Sequence, residues 1–147
     1  MAPEHLSIGD LARDAGCTVQ IIRHYEKIGL LPEPRRTGGN RRIYSEDQAS
    51  RLQFIRHSRE LGFSLDDIRQ LLSFSDQPDQ SCGTVDTIAR QHLRSVQERM
   101  KRLSSMEREL KRMIRECDGD SVAECRIIEV LADHSECLSV KHPLEKV

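Results

Sequence analysis

"SIGDLARDAGCTVQIIRHYEKIGLLPEPRRTGGNRRIY", residues 7–44, holds two helical signatures, a tight turn between them and a glycine turn behind. Ser7 is followed three residues later by Asp10, a loose capping box, and Ile8, Leu11, Ala12 and Ala15 share one helical face that Gly16 ends. Thr18 is a good N-cap for a second segment, stopped by Gly29 and Pro32. Two short helices joined at Gly16-Cys17 spell a helix-turn-helix. In the second, Ile22 packs inward with Val19 or Tyr25, which leaves Gln20, Arg23, His24 and Lys27 facing out. Arginine forks onto guanine edges or grips phosphate, and glutamine pairs with adenine. Pro32 and Pro34 forbid helix, and Gly38-Gly39-Asn40 signals a hairpin turn. A small β-wing is expected there, with Arg35, Arg36, Arg41 and Arg42 on its arms, suited to phosphates that set register without carrying sequence information.

Ser45-Glu46-Asp47-Gln48 is a capping box whose helix runs to Gly62, and Ser64 starts a shorter helix through Leu72. The polar "SFSDQPDQSCG" (73–83) is the best boundary in the chain. Beyond it, residues 84–116 contain neither Gly nor Pro. Ala89, Val96, Leu103, Leu110 and Cys117 recur every seven residues, with Leu93, Met100, Met106 and Ile114 between them. That is a heptad seam on an otherwise charged helix, and such a stripe needs a partner. Ser121-Val122-Ala123-Glu124 is expected to cap a last short helix with Ile127, Ile128 and Leu131 on its face. The fold class is mainly α. The expected layout is a winged helix-turn-helix domain (1–75), a linker (76–82), a dimerisation helix (83–116), a loop and short helix (117–133) and a mobile tail (134–147).

The 147 residues carry a net charge of −1, unpromising for a nucleic-acid binder, but the charge is unevenly spread. Seven arginines lie between positions 35 and 59, whereas from Glu116 onward eight acids face three bases. A basic front and an acidic back suggest a phosphate-facing region and a region with another task. No apolar run could span a bilayer and "MAPEHLSIGD" has no apolar signal core, so a cytoplasmic protein without a membrane partner is expected. No general base stands at a recognisable spacing from a cysteine and there is no glycine-rich phosphate cradle, so an enzyme is not expected.

The five cysteines include no C-x-x-C pair, and in a reducing cytosol they argue against a disulfide framework. Cys82, Cys117 and Cys125 are either buried thiols, as the seam position of Cys117 allows, or three arms of one metal site. One helix between Cys82 and Cys117 separates them by about 50 Å. They share an ion only if an antiparallel partner brings Cys82 of one chain beside Cys117 and Cys125 of the other. Cys17 is expected to be a packing residue, and Cys137 with His134 and His142 belongs to the tail or to a loose second site.

The stretches I-R-H-Y-E, G-L-L-P, R-R-I-Y and F-I-R-H-S-R-E-L-G-F-S-L, within residues 6–72, resemble the winged helix-turn-helix of the mercury-resistance regulator (MerR) family. The resemblance implies a homodimeric transcription regulator with antiparallel dimer helices. Matched residue by residue, it puts Arg23 and His24 in the major groove, Arg42 and Tyr44 in the wing and Arg56 on phosphate; Thr18, Gln20, Arg36 and Arg41 complete the DNA-facing set. Arg41 departs from the family pattern, which more often has an aromatic there. Metal sensors of the family carry a loop between two cysteines, matched by Cys117 and Cys125. Members answering divalent ions add a cysteine at the start of the dimer helix, matched by Cys82 of the partner subunit. The implied ligand is a divalent soft ion, cadmium, lead or zinc, with mercury below them. The implied action is activation of heavy-metal resistance genes by distorting promoter DNA for RNA polymerase. A thiol-based redox regulator of the same fold is the alternative.

Overall fold

The computed structural model describes residues 5–118, 121–133, 135 and 137. The chain divides into two units, Met1–Val85 and Asp86–Val147.

In the first unit, α1 (Ile8–Ala15) starts where the Ser7 hydroxyl accepts the Asp10 backbone N–H at 3.2 Å. It ends at Gly16, whose φ of 63° is left-handed and turns the chain sharply. Helix α2 (Val19–Lys27) follows, with the Thr18 hydroxyl accepting the Ile21 N–H at 3.3 Å. The wing has three strands rather than the two arms of a hairpin: β1 (Leu6–Ser7), β2 (Arg35–Arg36) and β3 (Arg42–Tyr44), in the order β1-β3-β2. Leu6 pairs with Tyr44 and Ser7 with Ile43, so the residues that cap α1 also form an edge strand. In the turn between β2 and β3, Asn40 takes the left-handed conformation, φ 64°, beside the expected glycines. Asparagine tolerates that region better than most residues with a side chain.

Helix α3 (Glu46–Glu60) begins with the expected capping box, Ser45 and Gln48 exchanging bonds at 3.2 and 3.0 Å. Helix α4 (Leu65–Ser75) has a second box, Ser64 with Asp67, and runs past Leu72. Leu11, Ile22, Leu30, Leu31, Tyr44, Leu52, Ile55 and Ile68 are at most 1% exposed and belong to one core. Each large apolar side chain so buried stabilises the domain by roughly 1.5–3 kcal/mol. Two arginines stitch the loop after α2 to the helices beneath it. Arg51 Nε donates to the Leu30 carbonyl at 2.9 Å while its Nη1 donates to both carboxylate oxygens of Asp76, at 3.1 and 3.2 Å. Arg69 donates to the Ile28 carbonyl at 2.8 Å.

Helix α5 (Gly83–Arg115) is 33 residues long, a span of about 50 Å. In the second unit its apolar stripe is bare: Leu93, Met100, Leu103, Leu110 and Ile114 are all more than half exposed. After it come a single 3-10 turn (Val122–Glu124) and α6 (Arg126–Ala132). The expectation for this end needs correcting. Ser121 makes no side-chain cap bond, the 3-10 turn replaces the first helical turn, and Cys125 itself is the N-cap of α6. The buried face of α6 is Val130, 1% exposed, with Ile127 half-buried, while Ile128 and Leu131 are open to solvent. No described helix is long and apolar enough to cross a membrane. His134 and His142, and most of the tail with them, lie outside the described residues.

Candidate nucleic-acid interface and metal centre

The helix-turn-helix presents α2 as a helix with one wet face. Ile22 and Tyr25 are buried, and Thr18, Gln20, Arg23, His24 and Lys27 are exposed. Arg36 and Arg41 are exposed on the wing, and Arg42 is half-buried. Two expected contact residues have partners within the domain. Tyr44 is wholly buried, its hydroxyl donating to Glu26 Oε1 at 2.5 Å. Burial first, then that carboxylate, pushes its phenol well above the usual range. Arg56 donates from Nη2 to the Gly16 carbonyl at 3.0 Å and lies 3.8 Å from Glu60, so it braces the turn between α1 and α2. Both follow from packing direction. Tyr44 sits where β3 turns its side chain onto the core, and a half-buried guanidinium next to a bare carbonyl bonds it. Cys17, half-buried against the core, has its thiol pushed up by burial, as a packing residue should.

Sequence reasoning missed Glu26, whose carboxylate takes Tyr44 and stands 3.7 Å from Arg42 Nε. The available signal was an acid inside an otherwise basic helix. Arg51 was also missed, because its partners lie far off in the chain.

In the second unit, Cys117 follows α5 instead of continuing its seam, and its Sγ lies 3.8 Å from the Sγ of Cys125. Both thiols are free and half-buried. The Ile128 backbone N–H, then the Cys117 thiol and the Ile127 N–H, hold the Cys125 thiol below its ordinary value, against desolvation. An ion-pair chain ties this turn down. Arg112 meets Glu109 at 2.6 Å and Glu116 at 3.3 Å, and Glu116 meets Arg126 at 3.4 Å. Glu109 is 4% exposed, a buried acid that the heptad pattern did not reveal.

The thiol pair fits a metal. Two thiolates bound at about 2.3 Å to a tetrahedral ion stand roughly 3.8 Å apart, the separation found between Cys117 and Cys125. Among the described residues no three His, Cys, Asp or Glu side chains gather as a metal-holding group in the single chain. Cys82 is exposed, just ahead of α5.

A winged helix-turn-helix carrying a long helix with an apolar stripe and a terminal thiol pair defines a class of DNA-binding regulator. The chain belongs to the MerR family: the profile of the MerR helix-turn-helix family of regulatory proteins matches residues 6–75, and that described as "MerR, DNA binding" matches residues 49–113. The transcriptional regulator ZntR of Escherichia coli K12 is 42% identical over 127 residues, covering 84% of this chain and 90% of its own. Among solved structures, the regulator PbrR691 from Ralstonia metallidurans CH34 in complex with lead(II) superposes with a TM-score of 0.74 at 44% identity, over 86% of this chain and 98% of that one. The mercury(II)-bound MerR of Bacillus megaterium MB1 gives 0.63 at 32% identity, over 87% of this chain and all of that one. The family is one of transcriptional regulators, not enzymes.

Proposed function

We propose that the protein is a metal-dependent transcriptional regulator that binds promoter DNA as a homodimer and activates heavy-metal resistance genes when a divalent soft ion binds. The observation carrying this reading is the Cys117–Cys125 pair, two free thiols set at a metal-edge distance. Cys82 of the partner subunit supplies the third thiolate. Three thiolates suit a soft +2 ion, cadmium, lead or zinc ahead of mercury. The relatives complexed with lead(II) and mercury(II) support an ion of this kind. The bare stripe of α5 supports the dimer, because a helix with six large apolar side chains at least 37% exposed (Leu93, Met100, Leu103, Met106, Leu110 and Ile114) has no way to cover them alone.

On DNA, Gln20, Arg23 and His24 read the major groove and Thr18 stands at its edge. Arg36 and Arg41 grip phosphates, Arg42 shares its charge between phosphate and Glu26, and Tyr44 and Arg56 position the wing and the turn. The ion holds the end of α5 and the following turn in one conformer, and it must favour the activating conformer to shift anything. The two DNA-binding domains then bend and untwist the promoter so that RNA polymerase engages it.

Titration of the reduced protein with cadmium, lead, zinc, mercury and copper(I), followed by sulfur-to-metal charge-transfer absorbance, tests the site. One divalent ion per chain is expected, lost in Cys117→Ser and Cys82→Ser. Binding of copper(I) alone would overturn the divalent assignment. Undiminished divalent binding in Cys82→Ser would remove the third thiolate. A thiol-redox regulator would instead respond to peroxide with no metal added.

A further inference from the structure

Glu26 is the one acid of α2, VQIIRHYEK, and its side chain is 9% exposed beneath the wing. Oε1 accepts the Tyr44 hydroxyl, and Oε2 faces Arg42 Nε at 3.7 Å. Arg23, one turn earlier on the same helix, is close enough to act on Tyr44 electrostatically. The wing has its own charge problem. Arg36 and Arg42 are directly opposite across β2 and β3, and like charges so placed destabilise a sheet. Arg36 turns away to Asn40, donating to its carbonyl at 3.3 Å and its side-chain oxygen at 3.2 Å. Arg42 turns inward to Glu26.

Random DNA offers a protein mainly phosphates, and the gain comes from counterions released by each arginine that neutralises one. An arginine already facing a half-buried carboxylate has less to gain from a phosphate. Base contacts by Gln20 and Arg23 are not taxed in this way.

We propose that Glu26 is a specificity-determining positioning residue: an internal anion that holds Arg42 against the reading helix and competes with the DNA backbone for its charge, suppressing sequence-independent binding. The proposal deepens the DNA-binding reading and is independent of the metal.

The test is the salt dependence of binding to a random-sequence duplex by the full-length protein, Glu26→Gln, Arg42→Gln and the double variant. Glutamine keeps the volume and the acceptor for Tyr44 and drops the charge. Glu26→Gln should bind random DNA more tightly, with the slope of log K against log salt steeper by up to about 0.9. In the Arg42→Gln background the same change should do little. Arg42→Gln alone should flatten the slope by clearly less than the roughly 0.9 of a free phosphate-gripping arginine. That arm stands even where Glu26→Gln fails to fold. An unchanged slope in folded Glu26→Gln, an equal gain without Arg42, or a full 0.9 loss in Arg42→Gln each overturns the proposal. Failure of the wild type to bind any duplex sinks the DNA reading itself.

Discussion

Cys125 is the N-cap of α6, and the nearby backbone N–H groups of Ile128 and Ile127 favour its thiolate. Its pKa is lowered, so as pH rises its thiolate forms ahead of an ordinary thiol's. Ultraviolet thiolate absorbance of the metal-free reduced protein should therefore show one early-titrating group, absent in Cys125→Ser. A titration curve that this substitution leaves unchanged would show that the helix end does not act on the sulfur. Tyr44 makes the opposite kind of contribution. Tyr44→Phe leaves the Glu26 carboxylate without its hydroxyl donor and should lower stability by about 1–3 kcal/mol, read from urea unfolding, with the wing disturbed more than the core. The motif R-R-I-Y placed Tyr44 in the wing but did not say which way it faces. Direction belongs to strand alternation, and with only three residues in β3 no alternation could be read. Arg56 was legible as a basic residue near the DNA-reading helix, yet its bond to the Gly16 carbonyl joins residues far apart in sequence.

Caps made the elements legible. Ser7, Thr18, Ser45 and Ser64 all stand where their helices begin, with the hydroxyl bonds that their spacing predicts. Thr18→Ala removes one of these bonds and should cost about 1 kcal/mol, fraying the start of α2; weaker duplex binding with a nearly unchanged salt slope is expected from a band-shift series. Ser121 shows where the rule fails. Its sequence reads as a capping box, but Ser121 makes no side-chain cap bond and precedes only a 3-10 turn, and Cys125 begins the helix. Strand β1 was invisible for a different reason: two residues carry no period, and their strand character comes from Tyr44 and Ile43 across the sheet. The heptad seam was plain, and its exposed residues give a direct test. Leu103→Glu places a charge on the stripe and should shift the protein from dimer to monomer in sedimentation, with the winged domain still folded.

At the scale of the molecule, the proposed site is divided between chains, and mixing experiments address that. Cys82→Ser and the Cys117→Ser/Cys125→Ser double variant each lack part of every site. A heterodimer of the two regains one complete set if Cys82 of one subunit meets the pair of the other. Co-expression followed by cadmium titration should recover half the wild-type stoichiometry in the purified heterodimer; no recovery would place all the ligands within one chain. The sequence made the thiols and the stripe readable because both depend on spacing along a helix. The ion-pair chain from Glu109 to Arg126 stayed hidden, because it depends on how α6 folds back, and spacing does not encode that turn.

Arg51 carries a mechanical consequence. Its planar fork holds the Leu30 carbonyl with one nitrogen and the Asp76 carboxylate with another, and Asp76 is the C-cap of α4, ahead of the segment leading to α5. A lysine would preserve the charge, but a single ammonium cannot bridge both sites. A pull on that segment reaches the loop behind the reading helix through Arg51, beside the separate bond from Arg69 of α4 to Ile28, so a swap of like cation for like cation unhitches one of two levers while leaving both of its ends intact.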